Sequence, residues 1–276
     1  MSKNLIVLGP GKTSLGYKNT QTKNFSVLAF QEVFPHCVSR LGVVPDYWTA
    51  GDPNSFVKGM EYLLRHKDNK KLNKINILMP SIFTKDLALY RMYCGTTPLM
   101  RIEQGWQRFQ KLMQEVALHY KIKEIPVTTT KYIKLFEKEA MLKTITDKDN
   151  EYLRFMIDKA LFGTIEYDSE SVIGSKFKWG LENKLTSVVL PICYSMGAKN
   201  VVVFGFDYQG PRFYSDDARH PWNDETQSKS ETIDFSLKIL EKWLKWESLH
   251  GMKIYSGNQE SICLPNKILS FYQEKK

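Results

Sequence analysis

The sequence predicts an α/β fold built on a mostly parallel sheet flanked by helices. Three observations carry this. Val201, Val202, Val203 and Phe204 form an unbroken β-branched and aromatic run, apolar on both faces as a central parallel strand requires. A helix-compatible stretch over residues 185–196 precedes that run, and Gly197-Ala198 supplies a stop between the two. A second short apolar run, residues 4–8, leads straight into a glycine-rich turn.

The first strand is residues 4–8, and the turn after it reads Gly9, Pro10, Gly11, Lys12, Thr13, Ser14, Leu15. Glycines there let backbone approach a phosphate, and successive N–H groups make an anion nest. The alternative is an ordinary strand-to-helix turn. The Gly-Lys-Thr of residues 11–13 is not a Walker P-loop, because the glycine that motif needs five residues earlier is Ile6.

Strand two is expected over residues 25–30, followed by Gln31. Strand three is expected over residues 40–49, with Pro45-Asp46 leading in, and it ends at Gly51-Asp52-Pro53. Asp52 either caps the helix expected over residues 55–65 or faces the glycine turn from a neighbouring strand end. Strand four is residues 75–79, stopped by Pro80.

Residues 81–180 are expected to hold a lid or acceptor-binding insert. Within it, Trp106, Phe109, Leu112, Met113, Val116 and Ala117 fall at helical spacing. A further strand is expected over 126–130, and helices over 131–143 and 150–162. After the central run comes the loop Gly205-Phe206-Asp207-Tyr208, then an irregular polar stretch through residues 209–230, expected to be mobile. A helix over residues 231–250 and a strand over 252–255 close the chain.

In open α/β sheets ligands bind beyond the carboxyl ends of the strands, which singles out Asp207, Tyr208 and Tyr214. Asp207 serves equally as a turn cap. At 276 residues, 42% of them hydrophobic, the chain has enough apolar material for one domain, 1–276, with its own core. Net charge is +9 and pI about 9.2, which favours anionic partners. The lysines are dispersed, so nucleic acid is not expected among those partners. The four cysteines are far apart with no CxxC pair, so no metal site is expected. No run approaches membrane-span length and the N-terminus does not read as a signal peptide, so a cytoplasmic protein is expected.

Taken in order, these features resemble glycosyltransferase family 42, the bacterial sialyltransferases that decorate lipooligosaccharide. The residues are the strand and Gly-Pro loop over 5–15, and Asp52-Pro53 where the family has Asn-Pro. Lys184, Leu185, Thr186 and Ser187 lead into a helix where the family has Arg-x-Thr-Ser-Gly. The strand and loop over 198–207 stand where the family has Gly-Ile-Asp. The resemblance implies a single Rossmann-like domain with a lid, a CMP-activated sugar as donor and no required cofactor. It implies inverting transfer to a glycan or glycolipid acceptor.

It further implies that residues 9–14, Gln31, Asp52, Lys184 and Asp207 line the donor site, with Thr186 and Ser187 donating to the sugar's carboxylate. Tyr214 corresponds to a tyrosine that stabilises the leaving phosphate. The other family tyrosine falls near Gln209, beside Tyr208. The family's catalytic histidine falls on Gln227, and His220 is the histidine of that loop. An imidazole suits the role of base; Asp217 is the alternative. The family's asparagine after strand two falls on Phe30 or Gln31.

A second resemblance is to the 6-hydroxymethyl-dihydropterin pyrophosphokinase-like family, through the same first loop and Gly205-Phe206-Asp207. It implies ATP with Mg²⁺ near Asp207, Asp216 and Asp217. A third alternative is a nucleotide- or glycan-binding protein without turnover. Peripheral membrane contact through Trp243, Trp246 and the C-terminal tail competes with plain core packing of those tryptophans. A homo-oligomer is left open.

Overall fold

The computed structural model describes residues 4–17, 24–51, 53–80, 99–125, 185–207, 213, 237, 240, 241, 243–245, 247, 251–260 and 268–273. Expectations for the remaining segments lie outside the described residues. Those include the elements over 126–162 and the loop over 214–230.

Seven strands form one sheet in the order β5-β4-β3-β2-β1-β6-β7, and every described pairing is parallel. They are β1 (Asn4–Leu8), β2 (Ser26–Phe30), β3 (Tyr47–Thr49), β4 (Asn76–Pro80), β5 (Lys121–Ile125), β6 (Asn200–Phe204) and β7 (Lys253–Ser256). The fold is therefore the predicted α/β class, a Rossmann-like parallel sheet flanked by helices. The chain builds outward from β1 to β5, then returns to the other side of β1 for β6 and β7. That reversal leaves a topological switch point between β1 and β6, where carboxyl-end loops diverge and a crevice opens.

The two central strands are buried on both faces. Leu5, Ile6, Val7 and Leu8 are fully buried, as are Val201, Val202 and Val203. Their unbroken apolar runs are what a strand covered on both sides demands.

Helix α1 (Val33–Arg40) was not foreseen. Its buried residues Val33, Phe34 and Cys37 fall on one face, and Pro35 sits in the first turn, where a missing N–H costs nothing. It ends where Gly42 takes φ +64°. The third strand is accordingly shorter than the expected 40–49. Asp46 sets where it begins: its carboxylate accepts from Val27 N–H at 2.8 Å, and its carbonyl accepts from Asn76 N–H at 2.9 Å.

Helices α2 (Pro53–Arg65) and α3 (Leu99–Ala117) pack against each other, and α2 meets β3 through Phe56. Trp48 is fully buried between Phe34 and Phe56, with ring centroids 5.6 and 5.2 Å away. Phe109 of α3 meets Phe56 edge-on. The edge strand β5 reads Lys-Ile-Lys-Glu-Ile, with Lys121, Lys123 and Glu124 exposed and Ile122 partly covered. Charges on an outer strand discourage pairing with other chains, and they hid it from a hydrophobicity-based reading.

The helical segment before β6 begins as a π-turn, Leu185–Val189, and continues as α4 (Leu190–Ser195). Pro191 has no N–H to offer the carbonyl four residues back, and the wide turn falls there. Its end forms a Schellman motif: Ala198 N–H bonds to Cys193 O at 3.0 Å and Gly197 N–H to Tyr194 O at 2.9 Å, with Gly197 at φ +74°. The described positions between 237 and 247 are helical, and Leu237, Leu240 and Trp243 are buried. Burial gives Trp243 a packing role and removes it as a membrane contact. Among the described residues no helix is long and apolar enough to cross a membrane.

Candidate functional site

At the switch point the loop after β1 and the loop after β6 are bonded into one unit. Gly9 N–H donates to Phe204 O and Gly11 N–H to Gly205 O, each at 2.7 Å. The carboxylate of Asp207 closes the unit. It accepts from Thr13 N–H at 2.9 Å through Oδ2 and from the Thr13 hydroxyl through Oδ1. Thr13 Oγ1 in turn accepts from Gly205 N–H at 3.1 Å. The fully buried Ser14 donates through Oγ to Gly9 O at 2.7 Å.

Only glycine permits this approach. A Cβ on Gly9 would lie 2.6 Å from the Gly205 carbonyl oxygen, and one on Gly11 would lie 2.8 Å from the same atom. Gly205 adopts φ +74° and would drive a Cβ to 2.8 Å from the Gly9 carbonyl carbon. The glycines therefore admit one protein loop to another. The N–H groups of Gly9, Gly11, Thr13 and Ser14 are all engaged inside the protein, so they do not make the expected anion nest. Asp207 reaches across the switch point instead, with both oxygens on Thr13 at the start of the 3₁₀ turn Lys12–Gly16 that follows β1.

Around this unit stand the other carboxyl-end loops. Gly257 N–H donates to Val203 O at 2.9 Å, and a Cβ on Gly16 would lie 2.6 Å from Asn258 Nδ2. Beyond β2, Gln31 is the non-glycine residue with positive φ, +59°, among the described residues. Its peptide is held on both sides: Gln31 N–H donates to Thr49 O at 2.8 Å, and Trp48 Nε1–H donates to Gln31 O at 2.9 Å. A non-glycine residue kept in the left-handed region is a strained position. Lys12 is exposed on the first turn after the glycines, and Leu15 is half exposed beside it.

Phe213 crosses over this edge. Its N–H donates to Pro10 O at 2.9 Å, and its carbonyl accepts from Arg40 Nη1 at 3.2 Å. Its ring lies edge-on to His36, with centroids 6.4 Å apart. Burial and the nearby Arg40 charge hold His36 below its ordinary pKa, against an opposing pull from Glu32. Neither His36 nor Arg40 was singled out from sequence. The only local hint was a His and an Arg four apart on an amphipathic stretch.

Of the sequence-predicted residues, the structure brings together Gly9, Pro10, Gly11, Lys12, Thr13, Ser14 and Asp207, with Gln31 two strands from β6. Thr186 lies in the π-turn and is buried; Ser187 follows it in the same turn. Asp52, Lys184, Tyr208, Tyr214 and His220 lie outside the described residues. Among the described residues no group of three or more His, Cys, Asp or Glu could hold a metal ion.

A parallel seven-stranded sheet with two loops locked at the β1/β6 switch point defines a Rossmann-like domain. Among solved structures, the chain resembles a variant of the sialyltransferase Cst-II in complex with CMP. The TM-score is 0.50 at 14% identity, over 98% of this chain and 86% of that one. It also aligns with the monofunctional alpha-2,3-sialyltransferase Cst-I from Campylobacter jejuni, with TM-score 0.47, 15% identity and coverage of 98% and 80%. A third match is Cst-II with a trisaccharide acceptor and CMP, with TM-score 0.45, 16% identity and coverage of 99% and 91%. At 14% identity the likeness to the CMP-bound Cst-II variant bears on the fold alone. No family model and no curated protein matches the sequence.

Proposed function

We propose that the protein is a sialyltransferase-like glycosyltransferase that moves a sugar from a CMP-activated donor to a hydroxyl of a glycan or glycolipid acceptor, with inversion. The observation that carries this reading is the locked pair of loops at the β1/β6 switch point, the edge where open α/β sheets take nucleotides. The likeness of nearly the whole chain to a CMP-bound fold supports it.

In this reading Lys12, exposed at that edge, meets the donor phosphate. The loop of residues 10–13 lines the nucleotide, and Lys184 and Ser187 meet the donor sugar. His220 removes the acceptor proton, and the acceptor oxygen bonds to the anomeric carbon as the bond to the CMP phosphate breaks. The phosphate leaves with the bonding pair, and Tyr214 and Tyr208 donate hydrogen bonds to it, stabilising charge that grows in the transition state. No cofactor enters this sequence. Asp207 is already engaged through both oxygens by Thr13, which speaks against its service to Mg²⁺ in a pyrophosphokinase.

The test is release of CMP from a panel of CMP-linked 2-keto sugars in the presence of glycan acceptors, with EDTA present. Acceptor-dependent release that is lost in folded His220→Ala and Tyr214→Phe variants supports the reading. Acceptor-independent silence across the panel, with binding of CMP intact, points to a protein that binds without turnover.

A further inference from the structure

The three contacts on Phe213 come from two separate elements. Pro10 belongs to the glycine loop, while Arg40 and His36 belong to α1. Glu32, His36 and Arg40 recur every four residues and so share one face of α1. Glu32 is taken up by Lys58 at 2.6 Å. His36 and Arg40 both reach the crossing residue, one through its ring and the other through its guanidinium. Phe213 is 4% exposed although its chain neighbours in sequence are polar. A backbone held at N–H, carbonyl and ring at once has little freedom to shift along the loop beneath it.

We infer that this face of α1 is a dock, in which Arg40 and His36 act as positioning residues that hold Phe213 over the Pro10 loop. The inference rests on the transferase reading, because Tyr214 is covalently next to Phe213 and Tyr208 is five residues away. The dock holds the residue that precedes Tyr214, one of the two phenols of that reading. It predicts an effect on turnover and little on nucleotide affinity, the signature of an interaction made in the transition state.

The experiment uses the full chain and the variants Arg40→Met, Arg40→Lys and His36→Gln. Arg40 is solvent-exposed on a helix, so its variants keep the fold and their melting temperatures stay near wild type. Hydrogen exchange at the peptide containing Phe213 reads the dock without reference to activity. Loss of a charge-assisted hydrogen bond in Arg40→Met lowers protection there by roughly tenfold or more. The kcat for CMP-sugar transfer falls by a similar factor, and the CMP dissociation constant stays within about threefold. Arg40→Lys recovers part of both losses. Unchanged exchange at Phe213 in Arg40→Met overturns the dock. Lost protection with unchanged kcat overturns its positioning role. Absence of transfer by the wild type defeats the transferase reading and the positioning role with it, while exchange still decides whether Arg40 holds Phe213.

Discussion

Gly205 and Gly42 both have positive φ, +74° and +64°, yet their surroundings differ. A Cβ on Gly42 would meet nothing within 4 Å, whereas a Cβ on Gly205 would press on Ser14 Oγ and the Gly9 carbonyl. Placing alanine in the left-handed region costs about 1–2 kcal/mol at either site. At Gly205 two further costs follow. Overpacking against backbone that cannot rotate away adds roughly 1–3 kcal/mol, and displacing the buried Ser14–Gly9 hydrogen bond adds about 1–3 kcal/mol. Gly42→Ala is therefore expected to lose about 1–2 kcal/mol and Gly205→Ala about 3–8 kcal/mol. At roughly 2 °C per kcal/mol for a chain of this size, the melting temperatures fall by about 2–4 °C and 6–16 °C. Scanning calorimetry of the two variants beside wild type measures the difference. Equal shifts would refute the claim that the two central loops are locked by close backbone contact.

Thr13→Val keeps the side-chain shape but removes the hydroxyl that joins Asp207 to Gly205; urea unfolding should show a loss of about 1–3 kcal/mol. Because His36 is held below its ordinary pKa of 6.5, the unfolded chain takes up the proton first as pH falls. Stability should be flat above about pH 6.5 and decline below it, and His36→Gln should remove part of that decline in melting temperature. Burial raises the Cys37 and Cys193 thiols well above their ordinary pKa, so neither should be alkylated by iodoacetamide in the native protein. Peptide mass spectrometry after brief labelling checks this, with both labelled once urea is added.

The parts of the fold most legible in the sequence are those whose residues face apolar surroundings on both sides. β1 and β6 announce themselves because every residue from Leu5 to Leu8 and from Val201 to Val203 is fully buried. Helix α1 escaped because Val33, Phe34, Val38, Val43 and Val44 read equally well as strand, and only Pro35 and Gly42 mark its ends. β5 escaped because Lys121, Lys123 and Glu124 put charge on both of its faces. At the site, chain order alone places the glycine loop and Asp207 at strand ends. It does not say whether glycine N–H groups face a ligand or another loop. That depends on Thr13 and Asp207 meeting across 194 residues of sequence, a contact with no local signature. The same holds for Arg40 and Phe213, which are 173 residues apart.

The most direct test of a cytidine nucleotide at the β1/β6 edge is a thermal-shift comparison of CMP, CDP, UDP, ATP and GTP, each with EDTA and with Mg²⁺. A ligand at 100 times its dissociation constant adds about 2.7 kcal/mol to native-state stability, a rise of roughly 5 °C for a chain of this size. CMP in EDTA should give that rise, with Mg²⁺ making no difference. Stabilisation by ATP with Mg²⁺ and none by CMP would contradict the account.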